Sequence, residues 1–404
     1  MLFLASIFNL FLDWKSNYKL DLCLYTSSID LESLSEKDKI DLVLSGQMHL
    51  VEIKVSSEFK YIEDDEPYTD LVNGYFCALN WSLHKSNPSS NPMFRDLKQN
   101  SNCDTIQLDL KTVVDLAREY DETNDDVHAM SPSGFVFHES RCGSTLVANA
   151  LAAMDPESTR VYSESGPPVT AVNVCGIDGS SCPKGRALEL LRDVIYLMGR
   201  TNDEGEEHLF FKIQSIGTKH IEVFLEAFPD TPWIFVYREP VQIMMSQLEH
   251  GAKSANCVRQ LRDIPPEKIE QIHEMGKGVK TLTSVEKCAL HLSLLCESVV
   301  KAFAYSINGR AVNYENIVEK LVYHVIPEHF RITMTKERAE NIYKISGTYS
   351  KGRGQKKHEW KEDSSEKERN ASPQIREAAD LFLQDLYDEL ENQSKLQYFY
   401  HQDD

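Results

Sequence analysis

Beyond residue 133 the chain alternates short, continuously apolar runs with longer stretches whose apolar positions recur every three or four residues. The runs GFVFH (134–138), LFFKI (209–213), WIFVYR (233–238) and AVNY (311–314) are too short for helices and apolar on both faces, the pattern of strands buried on both sides. LVANALAAM (146–154), TKHIEVFLEAF (218–228), PVQIMMSQLEH (240–250) and CALHLSLLCESVVKAFAYSI (288–307) read as helices, with Pro240 in a first turn. Strands and helices in alternation predict an α/β fold, a parallel β-sheet flanked by helices on both faces. Ligands of such sheets bind beyond the carboxyl ends of the strands. His138, Arg141, Lys212 and Arg238 all fall at or just after predicted strand ends.

The preceding residues do not share this rhythm. Residues 1–130 form an additional N-terminal region of mixed, acidic character and unknown role, and 131–404 the α/β unit. SEKDKIDLVLSGQMHLVEIKVS (35–56) alternates in a way that predicts a strand pair. HKSNPSSNPMFRD (84–96) reads as a loop, and DETNDDVHAMSPS (121–133) as a linker. The first residues, MLFLASIFNLFLDW, are apolar for about a dozen positions, short of the roughly 20 a membrane span needs. No basic leader or cleavage site accompanies them, so a buried helix and a cytoplasmic protein are expected, with a Golgi or other endomembrane anchor as the alternative.

Composition narrows the partners. The 404 residues carry a formal charge of −20, which disfavours nucleic acid and other polyanions. The nine cysteines show no CxxC and no metal-ligand spacing. They are expected to be reduced thiols, with Cys175 and Cys182 able to pair across a Gly/Ser-rich loop in an oxidising compartment.

The candidate chemistry starts at HESRCGSTL (138–146), a turn of small polar residues between strand and helix. Gly143 permits close backbone approach to an anion. Ser144 and Thr145 offer hydroxyls and amides at a helix N-terminus, and Arg141 supplies a cation. No GxxxxGK[ST] is present, which argues against an ordinary ATP or GTP loop. A phosphatase reading of Cys142 needs an arginine six residues on, where Ala148 stands; Cys142 is expected to be a small buried filler. Taken alone, Arg238 and Ser246, eight residues apart, are an ordinary salt-bridge arginine and a helix hydroxyl.

Together these pieces resemble the sulfotransferases that use 3′-phosphoadenosine 5′-phosphosulfate (PAPS). SRCGSTL is similar to that family's 5′-phosphosulfate loop, with Arg141 where a lysine is usual and Cys142, Gly143, Ser144 and Thr145 completing it. Arg238 and Ser246 match its 3′-phosphate pair. NYENIVEKL resembles its Tyr-Glu-Asp-Leu segment and places Tyr314 near adenine. YSKGRGQKKHEW resembles the segment that closes over the 3′-phosphate, through either Lys351 or Arg353. The resemblance covers about residues 133–365 and implies a P-loop-like sulfotransferase fold with PAPS as sulfuryl donor.

It also implies a need for a base. The family's cytosolic branch uses a histidine two residues after a strand-end lysine. Lys212 matches that lysine, but Gln214 occupies the histidine position and takes no proton. Other branches use a glutamate soon after the loop's helix. Glu164, in RVYSESGPPV, lies 23 residues after Arg141, and Gly166 with its two prolines is expected to keep that stretch out of a helix. His138 is the alternative base, or a ring that hydrogen-bonds the loop backbone. The expected activity is sulfuryl transfer to a small-molecule or glycan acceptor, a hydroxyl before an amine, with no metal. Its rivals are a non-catalytic nucleotide-binding protein of the same fold and an atypical P-loop kinase.

Overall fold

The structure is a computed structural model that describes residues 31, 33–63, 66–176, 182–249, 251–353 and 363–399. The apolar run at 1–14 and all of GQKKHEW (354–360) lie outside the described residues.

The first described segment corrects the expected strand pair. Glu36–Leu44 is a helix (α1), started by a capping box in which Ser35 and Asp38 exchange hydrogen bonds. Only the second half, His49–Val55 (β1), is a strand. It pairs antiparallel with Val72–Cys77 (β2), which pairs with Ile106–Asp109 (β3). Short helices Trp81–Ser86 (α2) and Phe94–Asn100 (α3) flank a polar connection. Leu110–Thr123 (α4) begins where the Asp109 carboxylate accepts from Thr112 N–H at 2.8 Å. The stretch read as a linker holds the end of α4 and the residues His128–Ala129, which pair with Arg200–Thr201.

The second sheet is the predicted one, with a strand more than the sequence suggested. Pro132–His138 (β4), Thr159–Ser163 (β5), His208–Lys212 (β6), Trp233–Tyr237 (β7) and Gly309–Asn313 (β8) are all parallel, in the order β8-β7-β4-β6-β5. Ser144–Met154 (α5), Gly166–Asn173 (α6), Lys184–Gly199 (α7), Ile221–Ala227 (α8), Pro240–Leu248 (α9), Ser284–Phe303 (α10) and Lys336–Ser346 (α11) connect and cover the strands. Ser364–Asn370 (α12) and Pro373–Phe399 (α13) end the described chain. Gly166 and its prolines open α6 instead of preventing it, because proline tolerates the first helical turn, where its missing N–H has no partner to lose.

Alternate residues of each strand enter opposite cores. Phe135, Phe137, Phe211 and Phe235 pack with Leu190, Leu191, Phe224 and Val299, while Val136, Phe210, Ile234 and Val236 pack with Leu146, Leu151, Ile326 and Phe382. The first of these cores also takes in Leu50, Ile53 and Phe76 of the antiparallel sheet. After β4 the chain crosses to the far edge for β5, and after β6 it crosses back over β4 to β7. The crevice above β4 is therefore the topological switch point, where such sheets bind ligands.

The expectation of reduced thiols is corrected. Six cysteines are paired, as Cys77–Cys103, Cys175–Cys182 and Cys257–Cys288, with Cα separations of 5.7, 5.0 and 4.7 Å. Cys175–Cys182 is the pair the sequence allowed for across its Gly/Ser-rich loop; the fold chooses the other two, bringing together cysteines up to 31 residues apart with no spacing motif to announce them. Among the described residues Cys142 and Cys296 remain free, both buried.

Candidate active site

The loop after β4 is held in an uncommon shape. Ser140, Arg141 and Gly143 have φ of 66°, 58° and 88°, the left-handed region that strains residues other than glycine. Bonds from several elements impose it. Ser140 N–H donates to His138 Nδ1 at 2.9 Å, and Arg238 N–H donates to the Glu139 carboxyl at 2.7 Å. The Cys142 thiol donates to Val236 O at 3.0 Å. Burial pushes that thiol up to about 12 and Glu139 up to about 8. Cys142 is thus a packed, unreactive thiol. Gly143 then caps α5. A Cβ there would lie 2.3 Å from the Tyr314 ring, so the loop and Tyr314 fit only because position 143 has no side chain.

Two charged groups face each other beside the loop. Ser163 and Lys212 are register partners in β5 and β6, so the next residue, Glu164, stands at the same edge as Lys212. Its N–H donates to Lys212 O at 2.7 Å, and its φ is 58°. The Lys212 ammonium, fully buried, donates to the Glu164 carboxylate. Burial alone would raise the Glu164 pKa, but Lys212, with His138 and Lys351 nearby, holds it at about 2. Gln214 binds the same turn from behind, its amide donating to Glu164 O at 3.1 Å and Ser165 O at 3.4 Å.

His138 lies beneath this pair. Since Nδ1 accepts the Ser140 N–H, the ring proton is assigned to Nε2. Burial, reinforced by Lys212, keeps the imidazole well below its usual range, hence neutral. Nε2 is buried, 3.7 Å from the Glu164 carboxylate and close to the Ile213 backbone, with no hydrogen bond of good geometry to either. A ring so arranged has a proton to donate and no free lone pair with which to take one.

The other end of the crevice is built on β7. Arg238 is buried, its Nε donating to Gln242 at 2.8 Å and its Nη2 to Asp363 at 3.0 Å and Ser364 at 2.8 Å. Its guanidinium lies 4.5 Å from the Tyr314 ring centroid, a cation–π contact. Tyr314 extends β8, with its N–H donating to Tyr237 O at 2.9 Å. Ser246, also buried, stands one helical turn beyond Gln242 on α9. The chain folds back at Glu239–Pro240, which lets the Arg238 side chain lie along the helix that carries Ser246.

Arg141 reaches Glu249 at 2.7 Å, and its Nε is buried without a partner among the described residues. Lys351 and Arg353, alike in sequence, part company. Lys351 is half-buried near Lys212, Glu164, Arg141 and Cys142, and burial with the neighbouring Lys212 brings it down to about 8. Arg353 turns toward the N-terminal region, bonding Asp96 at 3.0 Å. Sequence reasoning missed the carboxylates that meet the cations, Glu249 and Asp363. Each lies more than 100 residues from its partner, and no local pattern marks such pairs.

No protein-family model matches the chain, and no curated protein matches its sequence. Solved structures similar to it include sulfotransferases. One from Mycobacterium avium has a TM-score of 0.38 at 12% identity over 78% of this chain and 88% of that one. The sulfotransferase domain from the curacin biosynthetic pathway has 0.36 at 11% identity, over 63% and 98%. The sulfotransferase from Alicyclobacillus acidocaldarius has 0.34 at 13% identity, over 66% and 96%. All three likenesses are remote.

Proposed function

We propose that this chain is a sulfotransferase that moves a sulfuryl group from PAPS to an acceptor hydroxyl, with an amine as the second acceptor class. One observation carries the reading. Arg141, Lys212, Arg238 and Tyr314, spread over more than 170 residues of sequence, meet at the carboxyl edge of one parallel sheet, around a glycine loop with a buried nitrogen, Arg141 Nε, that has no partner among the described residues. Buried donors without acceptors are costly unless an anion completes them.

The residues fit a nucleotide with anionic groups at both ends. Arg141, Cys142, Gly143, Ser144 and Thr145 line the loop for the 5′ side. Arg238 and Ser246 serve the 3′-phosphate, Tyr314 presents a ring for adenine, and Lys351 closes the loop side. PAPS supplies an activated sulfuryl group, so alignment and charge stabilisation dominate the protein's task, as in phosphoryl transfer.

Glu164 is the base. While paired with Lys212 at about 2 it is a weak one. Turning the Lys212 ammonium toward sulfuryl oxygens removes its counter-ion, and burial then raises its proton affinity. His138, neutral with Nε2–H outward, donates a hydrogen bond there and does not act as the base. Gln214 keeps the Glu164 turn in place from the position where the cytosolic branch carries its histidine.

Calorimetric titration tests the reading. The chain should bind 3′,5′-ADP well above 5′-AMP and without metal. Equal affinity for the two, or a preference for ATP with Mg²⁺, would sink it. Binding followed by no turnover over a broad acceptor screen with labelled PAPS would leave a binding protein of the same fold.

The compartment follows from the cysteines. No helix among the described residues is long and apolar enough to cross a membrane. Three disulfides are uncommon in the reducing cytosol, so we place the chain in an oxidising compartment instead of the cytoplasm. Alkylation of the protein, unfolded without reductant, should modify only the unpaired cysteines and spare the six paired ones; labelling of all nine would return it to the cytoplasm.

A further inference from the structure

We propose that Asp363 is an internal anion that competes with the 3′-phosphate of a bound nucleotide for Arg238 and hastens release of the spent nucleotide. This rests on the sulfotransferase reading and adds a residue that tunes nucleotide affinity.

The two partners are held very differently. Arg238 is 6% exposed and fixed on all sides, by Glu139 at its backbone, Gln242 at Nε and the Tyr314 ring at 4.5 Å. Asp363 is 47% exposed. It precedes α12, a seven-residue helix with no buried side chain. The hydrogen bonds that tie this segment to the β7–α9 corner run from Arg238 to Asp363 and Ser364, and from Gln242 to Glu368. Polar ties to a fixed cation are those a phosphate can replace, because it offers the guanidinium the same oxygen acceptors with more charge.

The exchange costs the segment little. The Asp363 carboxylate caps no helix N–H, and it also pairs with Lys367. Burial works against its charge, yet Lys367 and Arg238 hold it below the ordinary carboxylate range. Displaced from Arg238, it keeps a cation and water. Because the carboxylate is part of the chain, it returns at a high effective concentration whenever the phosphate loosens.

The consequence is read in nucleotide binding, with no acceptor needed. On the full-length chain, Asp363→Asn should bind 3′,5′-ADP about fivefold more tightly than wild type, the worth of an ion pair whose carboxylate is half-exposed. The change should fall in the dissociation rate by stopped flow. Affinity for 5′-AMP should be unchanged, since that nucleotide never contests Arg238. Asp363→Ala should move the same way, which separates lost competition from any effect of the asparagine. Unchanged or weaker 3′,5′-ADP binding in both variants overturns the inference while leaving the sulfotransferase reading intact. A wild type that does not prefer 3′,5′-ADP over 5′-AMP overturns both.

Discussion

The two ends of the crevice solve one electrostatic problem with different materials. At the β5–β6 end, Lys212 is buried and its counter-ion, Glu164, sits on the adjacent strand end, locked by the Lys212 carbonyl and the Gln214 amide. At the β7 end, Arg238 is equally buried, but its counter-ion comes from a lightly packed segment 125 residues away. A pair built into neighbouring strands is part of the fold and has its geometry set before any ligand arrives. A pair reaching across the surface is a contact that a ligand can replace. The first suits chemistry, and the second suits binding and release.

Breaking the first pair should have the largest effect. Glu164→Gln keeps the shape but takes no proton, so kcat should fall about 10²- to 10⁴-fold once an acceptor is known. Affinity for 3′,5′-ADP should stay within a few-fold. The variant also leaves Lys212 buried without its counter-ion, at a cost of about 3 kcal/mol in urea unfolding. Normal turnover would show Glu164 to be a structural carboxylate. Arg238→Ala should do the reverse. Removing a charge-assisted phosphate contact should weaken 3′,5′-ADP roughly tenfold to 150-fold, with little change in unfolding, because Asp363 remains half-exposed and paired with Lys367. If both variants lost stability and binding alike, the contrast between the two ends would fail.

What the sequence discloses follows the range of the interaction. β4, β6 and β7 are legible because each is a local apolar run. β5 is not, because TRVYS carries Thr159 and Arg160 into a buried strand. The fold accepts the guanidinium there through its ion pair with Glu206, 46 residues on, its bond to Arg200 O and the Trp81 ring beside it. The helix α1 is hidden behind apparent alternation, although Ser35 and Asp38 make a readable capping box. At the site, Arg141, Lys212, Arg238 and Tyr314 are visible through motif resemblance. The motif is silent on Glu249, Asp363 and the disulfides, which depend on the tertiary fold. It is also silent between Lys351 and Arg353, two residues apart, since only the path of the chain decides that Arg353 goes to Asp96.

That last distinction yields the smallest and sharpest test. Burial and Lys212 bring Lys351 down to about 8, so it loses its charge as pH rises through that value. An anion that requires charged Lys351 must bring a proton with it above pH 8. Affinity for a PAPS analogue should therefore be level below about pH 7 and fall above 8, at most about tenfold per pH unit. Lys351→Arg should flatten the curve, because a guanidinium stays protonated throughout. Any slope that survives belongs to Glu139, also near 8 and bonded to the Arg238 backbone. Arg353→Ala, by contrast, should leave the whole profile within twofold, since its guanidinium is committed to Asp96. A wild-type profile level from pH 7 to 9 would take Lys351 out of the anion site. A profile moved by Arg353→Ala would put Arg353 there instead, and would mean that the segment repacks when nucleotide binds.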